Sequence, residues 1–275
     1  MFVGAAPVAA IPADDRGFGY GDGLFETMRA HGGSVPWWDA HWSRLIRGAA
    51  RLRIVLPDQQ QVRDEGARLL DGGDGVLKLV VSRGCSDRGY APDDASLPTW
   101  VLLRHPPPPA FPHEGLWLRW CETRLALQPA LAGIKHCNRL EQVLARGEWH
   151  DLPMSENEAD EGLMRSSEGD VVCATAANVF VLAAGRWLTP RIDRCGVQGV
   201  CRGWAIAALA AGESRLTMND LESAQAVFLC NAVRGILPVA RLGTRTWSPH
   251  PQVRALQQRL AAEHPAFTPL PTELS

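Results

Sequence analysis

The sequence is poor in lysine, although it is rich in other basic side chains. Lysine and arginine together number 28 among 275 residues, yet only Lys78 and Lys135 are lysines and all the others are arginines. Arginine can replace lysine in ion pairs and phosphate contacts, but its guanidinium cannot serve as a nucleophilic amine. Each lysine is therefore a candidate for amine chemistry. Because chance retention explains either one taken alone, the sequence context must decide between them.

Other absences exclude several classes of protein. The seven cysteines contain no C-x-x-C pair, which argues against a zinc site or a disulfide framework. The eight histidines lack the H-x-x-x-H spacing of a metal site, so we expect no metal. A formal net charge of -2 gives no sign of a nucleic-acid or membrane-surface partner. The N-terminus has no basic segment before its apolar part, and no apolar stretch is long enough to span a bilayer. We therefore expect a cytoplasmic protein.

Helical and strand patterns alternate along the chain. A glycine-rich loop from residue 17 leads into a strand that turns near His31–Gly33. Apolar spacing predicts helices, the first with Asp39 as its N-cap, and runs of β-branched residues predict short buried strands. The predicted helices are 38–54, 59–70, 136–149, 199–211 and 251–264, and the predicted strands are 75–83, 98–104, 116–121, 171–172, 179–182 and 226–229.

A proline-rich segment divides this series in two. Residues 105–115 read HPPPPAFPHEG, and four consecutive prolines favour a stiff extended connector over a helix or a central strand. We therefore predict a mixed α/β fold with an N-terminal domain over 1–106, a connector over 107–115 and a C-terminal domain over 116–275. Two such domains would form a cleft for a small-molecule substrate.

The two lysines lie in different contexts. Lys135 stands in GIKHCNRLEQ, at the start of a predicted helix after an apolar loop, whereas Lys78 lies in the middle of the predicted strand VLKLVV. A lysine at a loop-to-helix junction is the easier donor of a reactive amine. A lysine in a strand is more often solvated or ion-paired. These contexts favour Lys135 as the reactive amine.

The segment that follows Lys135 resembles the one that follows the cofactor lysine in fold-type IV pyridoxal phosphate (PLP) enzymes, the class-IV aminotransferase group. Five further blocks resemble that group and occur in its order. Any one block is weak evidence, but together they cover nearly the whole chain. They are DRGFGYGDGLFET (15–27), HWSRL (41–45), CATAANVF (173–180), GVQGVCR (196–202) and VFLCNAVRGILPV (227–239).

The resemblance implies a two-domain fold like that of D-amino-acid aminotransferase, a homodimer, and PLP held as a Schiff base by Lys135. It implies that Arg44 binds the cofactor phosphate. The alternative is that Arg44 is an ordinary solvated arginine on a helix. Backbone N–H groups at a helix start are suited to the same phosphate. The remaining implied cofactor contacts are Cys173, Asn178, Val200, Cys201, Asn231 and Ala232.

Two stretches are more similar to the lyase branch of this family, which converts 4-amino-4-deoxychorismate to 4-aminobenzoate and pyruvate in folate biosynthesis. They are IKHCNRLEQVL and VSRGCSDRGY, residues 134–144 and 81–90. Aminodeoxychorismate carries two carboxylates, so we expect Arg83 and Arg88 to bind them, although either could be an ordinary surface arginine. Tyr20 is expected to line the substrate site. Phe25 could line it too, but core packing explains an aromatic residue at that position better.

Cys173 departs from the family pattern, because many relatives carry a glutamate there that keeps the pyridine nitrogen of PLP protonated. A thiol cannot hold that proton as a carboxylate does. This handicaps amino transfer more than elimination and so favours a lyase. A small buried thiol with no role explains Cys173 nearly as well.

Two other functions stay open at the level of sequence. One is a branched-chain or D-amino-acid aminotransferase with the same cofactor. The other is a non-catalytic binding protein with this fold. Cys173 and Ala232 favour it because both depart from the family pattern, in which a hydroxyl residue often stands at the position of Ala232. Retention of Lys135 in a chain that has only one other lysine argues against the second.

Overall fold

A computed structural model describes residues 1–86, 89–92, 96–109, 115–149 and 159–268. Its contacts divide the chain into two compact units. The first comprises Met1–Pro107 and Ile134–Asn138, and the second comprises Pro108–Gly133 and Arg139–Ser275. The predicted domain limits remain a prediction, and residues 110–114 of the connector lie outside the described part of the chain.

The first unit contains an antiparallel sheet. Its five strands lie in the order β2-β1-β5-β4-β3. The long partners β3 and β4 pair over their whole length, from Gly23↔Ser82 to Ala30↔Gly75. The strands are β1 (Phe2–Val3), β2 (Ala6–Pro7), β3 (Gly23–Ala30), β4 (Gly75–Ser82) and β5 (Thr99–His105).

Three helices accompany this sheet, α1 (Arg16–Tyr20), α2 (Trp38–Leu52) and α3 (Gln59–Leu70). Helix α1 replaces part of the predicted glycine loop, because the Asp15 side chain accepts the Gly17 N–H and caps it. Helix α2 has Trp37 as its N-cap, so the prediction of Asp39 as N-cap is wrong. Asp39 lies instead in the first turn, where its charge suits the positive end of the helix dipole.

The sequence pattern predicted a helix from residue 136, but residues 134–138 do not form the start of one. They run alongside β3 instead. The Phe25 N–H donates to the Lys135 carbonyl at 2.9 Å, and the Cys137 N–H donates to the Gly23 carbonyl at 2.9 Å. Leu24 and His136 form an antiparallel bridge between these bonds. This pairing groups Lys135 with the first unit, although the chain order had suggested the C-terminal domain.

The second unit is built on a mixed sheet in the order β11-β10-β9-β12-β13-β6-β7-β8, with β14 paired to β13. Its central strands are buried on both faces, as is typical of a sheet covered by helices. The strands are β6 (Leu116–Leu125), β7 (Glu161–Ser166), β8 (Val171–Ala174), β9 (Asn178–Ala183), β10 (Arg186–Pro190), β11 (Gly212–Ser214), β12 (Ala226–Asn231), β13 (Gly235–Leu242) and β14 (Arg245–Thr246).

The helices of this unit are α4 (Leu140–Gly147), α5 (Val200–Leu209), α6 (Met218–Glu222) and α7 (Pro251–Glu263), followed by a 3-10 turn at Pro265–Phe267. Helix α4 begins four residues later than predicted because the preceding segment is extended. Within the described ranges, no helix is both long enough and apolar enough to cross a membrane.

Candidate active site

Lys135 lies against an aromatic ring of β3. Its Nζ atom is 4.2 Å from the centroid of the Phe25 ring, within the range of a cation–π interaction. The backbone bond between the same two residues fixes the Lys135 main chain. Phe25 is half-buried, so its ring does not lie wholly within the core, as core packing had implied. The structure therefore holds the amine at a partly exposed position on the first unit.

The second lysine lies beside the same ring. Lys78 pairs with Thr27 across the sheet, and its Nζ atom is 5.6 Å from the Phe25 centroid. It is half-buried, and it forms no ion pair with any residue that the structure describes. The sequence pattern had favoured a solvated or ion-paired role for Lys78. Its alternation with Leu77 and Leu79 was the signal that it shares a sheet face with Phe25.

Behind that face, three charged or polar side chains form a buried cluster. Glu26 lies on the buried face of β3, and its carboxylate accepts two bonds from Arg44, one of them from Nε at 2.8 Å. His41 Nδ1 lies 2.6 Å from the second oxygen of Glu26. His41 and Arg44 are one helical turn apart on α2 and therefore share a face. Gly48 continues this face, and a Cβ there would lie 2.9 Å from Leu24.

The electrostatics of this cluster keep Glu26 ionised. Burial alone would raise the pKa of Glu26, but the Arg44 charge and the bonds from Arg44 and His41 lower it to about 2. Burial lowers the pKa of His41, and the Arg44 and Lys135 charges lower it further. The hydrogen bond and the charge of Glu26 raise this pKa but do not outweigh the other effects. A neutral imidazole that donates Nδ1–H to Glu26 fits these directions. Arg44 was predicted from the sequence, but Glu26 and His41 were not. A charged residue in the middle of an apolar strand was the available signal.

Arg83 is tied into the protein framework. Its guanidinium donates to both oxygens of Asp22, at 2.8 and 3.1 Å. It also donates to the carbonyls of Leu52 and Arg53 at the end of α2, where cations complement the helix dipole. These bonds occupy four of its five N–H groups. Its role in substrate binding therefore stays a prediction, and the structure adds a structural role.

Of the other two predicted substrate residues, the structure describes Tyr20. Tyr20 is 44% exposed and stands 5.4 Å from Tyr90 between ring centroids. Arg88 lies outside the described residues, so its role also stays a prediction.

In the second unit, Cys173 is a buried residue of β8 paired with Met164. Its neighbours are mainly apolar and include Cys121 and Ile192. Burial raises the pKa of the Cys173 thiol to about 12, so the group is uncharged near neutral pH. Among the described residues, no cluster of His, Cys, Asp and Glu could hold a metal ion. Cys173 can therefore supply shape and a weak hydrogen bond, but no negative charge.

Helix α5 begins without a side-chain cap. Its N-cap Gly199 makes no side-chain bond, so the N–H groups of Val200 and Cys201 at the helix start have no side-chain cap. The turn before the helix is held by Asn178, whose Nδ2 donates to the Val197 carbonyl at 2.9 Å. A Cβ on Gly199 would lie only 2.1 Å from the Asn178 amide oxygen. This turn suits an anion at the helix start, and Asn178 holds its shape.

Asn231 organises the other predicted phosphate turn. Its side-chain oxygen accepts from the N–H groups of Val233 and Arg234 at 3.0 and 2.8 Å, and its Nδ2 donates to Ala176. The side chain is therefore engaged in shaping the turn. Ala232 can contribute its backbone N–H only. The contact of this turn with a phosphate stays a prediction.

A cavity of about 550 Å³ opens in the second unit. Polar residues such as Arg139, Glu161 and Thr175 line it, but of the predicted cofactor residues Asn231 alone does so. The cavity therefore does not mark the cofactor position.

These features fit a small organic phosphate with a carbonyl group. In the first unit, Lys135 offers the amine and the buried Arg44 offers a guanidinium. In the second unit, taken by itself, the start of α5 offers backbone N–H donors. The space that Gly199 leaves beside Asn178 would be lost to any larger residue, as expected where a ligand approaches backbone closely.

Comparison with known proteins gives one consistent result. The family described as class IV aminotransferase matches residues 23–242. An aminodeoxychorismate lyase of Vibrio harveyi is 34% identical over 250 residues, covering 87% of this chain and 90% of that protein. The crystal structure of 4-amino-4-deoxychorismate lyase from Pseudomonas aeruginosa is 38% identical, with a TM-score of 0.86 and coverage of 96% and 98%.

Aminotransferases are similar to the chain at lower identity. A D-alanine aminotransferase of Listeria monocytogenes is 24% identical over 245 residues, covering 85% of this chain and 83% of that protein.

Proposed function

The chain belongs to the class IV aminotransferase family, and on that premise we propose that it is a PLP-dependent lyase converting 4-amino-4-deoxychorismate to 4-aminobenzoate and pyruvate. The fold class and the family predicted from the sequence are confirmed. The protein is an enzyme, and its cofactor is PLP. The observation that carries the proposal is the Lys135 amine, held on the Phe25 ring in a segment typical of the lyase branch.

Lys135 performs the proton transfer in this proposal. When bound, PLP supplies an electron sink for the carbon that carries the substrate amine. Lys135 would hold PLP, and its Nζ would accept the proton from the ring carbon that carries the substrate amine. Loss of pyruvate would leave an aromatic ring. The Phe25 ring keeps Nζ near one position for this proton transfer.

Arg44 holds the phosphate, and Glu26 holds Arg44. A guanidinium whose Nε and one Nη are engaged by a buried carboxylate is fixed in orientation, which lowers the entropy cost of binding an anion. The family resemblance assigns backbone phosphate donors to the N–H groups of Val200 and Cys201 at the start of α5.

Cys173 favours elimination over amino transfer. Since its thiol is uncharged near neutral pH, it places no negative charge beside the pyridine nitrogen. Amino transfer needs a strongly electron-withdrawing ring, whereas in elimination the leaving pyruvate carries the electrons away. A neutral residue at this position therefore supports a lyase.

The two substrate carboxylates need cations. Arg83 and Arg88 are the candidates from the sequence, and the structure adds Lys78, whose ammonium lies on the same sheet face as Lys135 and is not ion-paired with a described residue. We include Lys78 in the proposed substrate site for this reason.

We also propose a homodimer. Helix α4 exposes Leu140, Val143 and Leu144, which are 76%, 63% and 64% exposed. Their spacing places them on one helix face, so they form an apolar stripe that a second copy could cover. Sedimentation analysis tests this. A dimer that dissociates in Leu144→Glu supports it, whereas a wild-type monomer contradicts it.

The test of the activity is pyruvate release from aminodeoxychorismate by the PLP-loaded protein, coupled to lactate dehydrogenase. We expect pyruvate and 4-aminobenzoate in equal amounts, and no pyruvate from Lys135→Ala. If the wild-type protein releases no pyruvate but converts its cofactor to the amine form with a simple amino acid, it is an aminotransferase instead.

A further inference from the structure

The loop between β4 and β5 is fastened at its base by the segment before α1. The Arg16 N–H donates to the Gly84 carbonyl at 2.9 Å, and the Ser82 hydroxyl donates to Asp15 at 2.8 Å. Cys85 forms an isolated bridge with Asp15. A Cβ on Gly84 would lie 2.0 Å from the Leu97 carbonyl, so the chain turns here in a space that admits only glycine. The start of the loop is therefore fixed by several independent contacts.

The side chain of Arg16 reaches further along the same loop. Its Nη1 donates to the Ser86 hydroxyl at 3.1 Å and to the Gly89 carbonyl at 2.8 Å, and its Nη2 donates to the Tyr90 carbonyl at 3.3 Å. One guanidinium thus bonds to described residues on both sides of positions 87–88. Arg16 is 4% exposed, although it serves a loop whose Tyr90 is 86% exposed.

Asp22 holds Arg16 in this orientation. Its Oδ2 accepts from Arg16 Nε at 2.9 Å and from Arg83 Nε at 2.8 Å. Burial raises the pKa of Asp22, but the bonds and charges of the two arginines outweigh it and lower the pKa, so the carboxylate stays ionised. Through Asp22 and Arg83, the loop and the end of α2 share one buried polar network.

An aromatic contact completes the arrangement. The Arg16 guanidinium lies 4.9 Å from the Tyr20 ring centroid, and Tyr20 lies 5.4 Å from Tyr90. These are the two tyrosines of the chain. The planar fork of arginine is what allows stacking and several carbonyl contacts at once, which an ammonium cannot reproduce.

We propose that Arg16 is a positioning residue for substrate binding, which fixes the described parts of the 83–92 loop and sets the affinity of the enzyme for its anionic substrate. This inference rests on the proposed function, because that function assigns substrate contacts to the loop. Arg16 acts through the loop and not through the cofactor. Its loss therefore weakens substrate binding and leaves PLP on Lys135.

The test compares Arg16→Lys with the wild-type holoenzyme. We expect KM for the substrate to rise roughly tenfold or more, with kcat within about threefold and an unchanged PLP absorbance spectrum. Ser86→Ala removes one acceptor of the fork and should raise KM by a smaller factor, about threefold. The matched control is Arg104→Lys, since Arg104 also donates to two backbone carbonyls of this unit, those of Leu69 and Asp74, but far from the loop. Its KM should not change.

A second measurement reports on the loop itself. Burial, with Asp14 and Asp15 nearby, raises the pKa of Cys85 to about 11, so its thiol reacts slowly near neutral pH. Faster alkylation of Cys85 in Arg16→Lys, located by peptide mapping, shows that the fork holds the loop. Labelling at the wild-type rate together with an unchanged KM overturns the inference.

Failure of the proposed function gives a different result. In that case the wild-type protein releases no pyruvate, and the same variants are measured with the amino acid that the wild-type protein does convert. A rise in KM for that substrate supports the positioning role, and an unchanged KM overturns it.

Discussion

Replacement of Glu26 by glutamine is expected to destabilise the protein strongly, because it removes the buried negative charge that faces Arg44. Glu26 is 2% exposed and accepts bonds from both Arg44 and His41. The pKa of Glu26 is lowered from 4.5 to about 2. At about 1.4 kcal/mol for each pKa unit, this shift corresponds to about 3 kcal/mol of folding free energy. Loss of one partner of a buried ion pair costs a similar amount, about 3 to 5 kcal/mol.

The contribution of Glu26 to the free energy of unfolding depends on pH. A carboxyl group whose pKa is lower in the folded state stabilises that state fully above its unfolded pKa, here near 4.5. The stabilisation is lost as the pH falls from 4.5 towards 2. The difference in unfolding free energy between the wild type and Glu26→Gln should therefore be about 3 kcal/mol at pH 7 and should shrink below pH 4.5.

Urea unfolding of the cofactor-free protein at several pH values measures this difference. His41 also has a lowered pKa, chiefly through burial, so the comparison is repeated in a His41→Gln background. The control variant is Asp39→Asn on the same helix, whose partner Arg63 lies 3.3 Å away in an exposed pair. It removes only an exposed ion pair and a helix-dipole contact, so it should lower stability by less than about 1 kcal/mol, with little change between pH 4.5 and 7. Equal stability of Glu26→Gln and wild type at pH 7, or a difference that does not change with pH, would show that the ionised Glu26 does not stabilise the fold.

Three further predictions concern the cofactor. Arg44→Lys should raise the Kd for PLP about tenfold or more in a fluorescence titration, because an ammonium lacks the fork, whereas the exposed Arg47→Lys should leave Kd unchanged. Gly199→Ala should also raise this Kd about tenfold, since the new Cβ would lie 2.1 Å from an amide oxygen, and Gly203→Ala, whose Cβ meets nothing within 4 Å, should not. Cys173→Glu should speed conversion of the cofactor to its amine form by an amino acid about tenfold, followed by absorbance, and an unchanged rate would contradict the role given to the thiol.

Local patterns predicted much of the fold. Helix α3 has the predicted bounds, Gln59–Leu70, because its start has an aspartate cap and its apolar spacing is regular. Strand β4 was predicted to within one residue, at its end, because its run of β-branched residues is unambiguous. Both elements are determined by residues that are close in sequence.

Contacts between distant segments were not predictable in this way. The segment around Lys135 follows an apolar loop and precedes a helix, yet it is extended because β3 offers it hydrogen bonds from far earlier in the chain. The charge of Glu26 within an apolar strand was visible in the sequence, but its partners Arg44 and His41 were not, because they lie on α2. Arg83 resembled a free loop cation, but the end of α2 and Asp22 occupy most of its donors. In each case the partner, and not the residue itself, determines the role.

Lys135 is proposed to hold the cofactor, and reduction of the PLP-loaded enzyme with borohydride gives a direct test of this role. Reduction makes the bond between the lysine and PLP permanent, so peptide mapping can locate it. We expect the label on Lys135 and on no other peptide, with loss of both the label and the visible absorbance in Lys135→Ala. A label on Lys78, or an enzyme that stays active and labelled without Lys135, would contradict this role of Lys135.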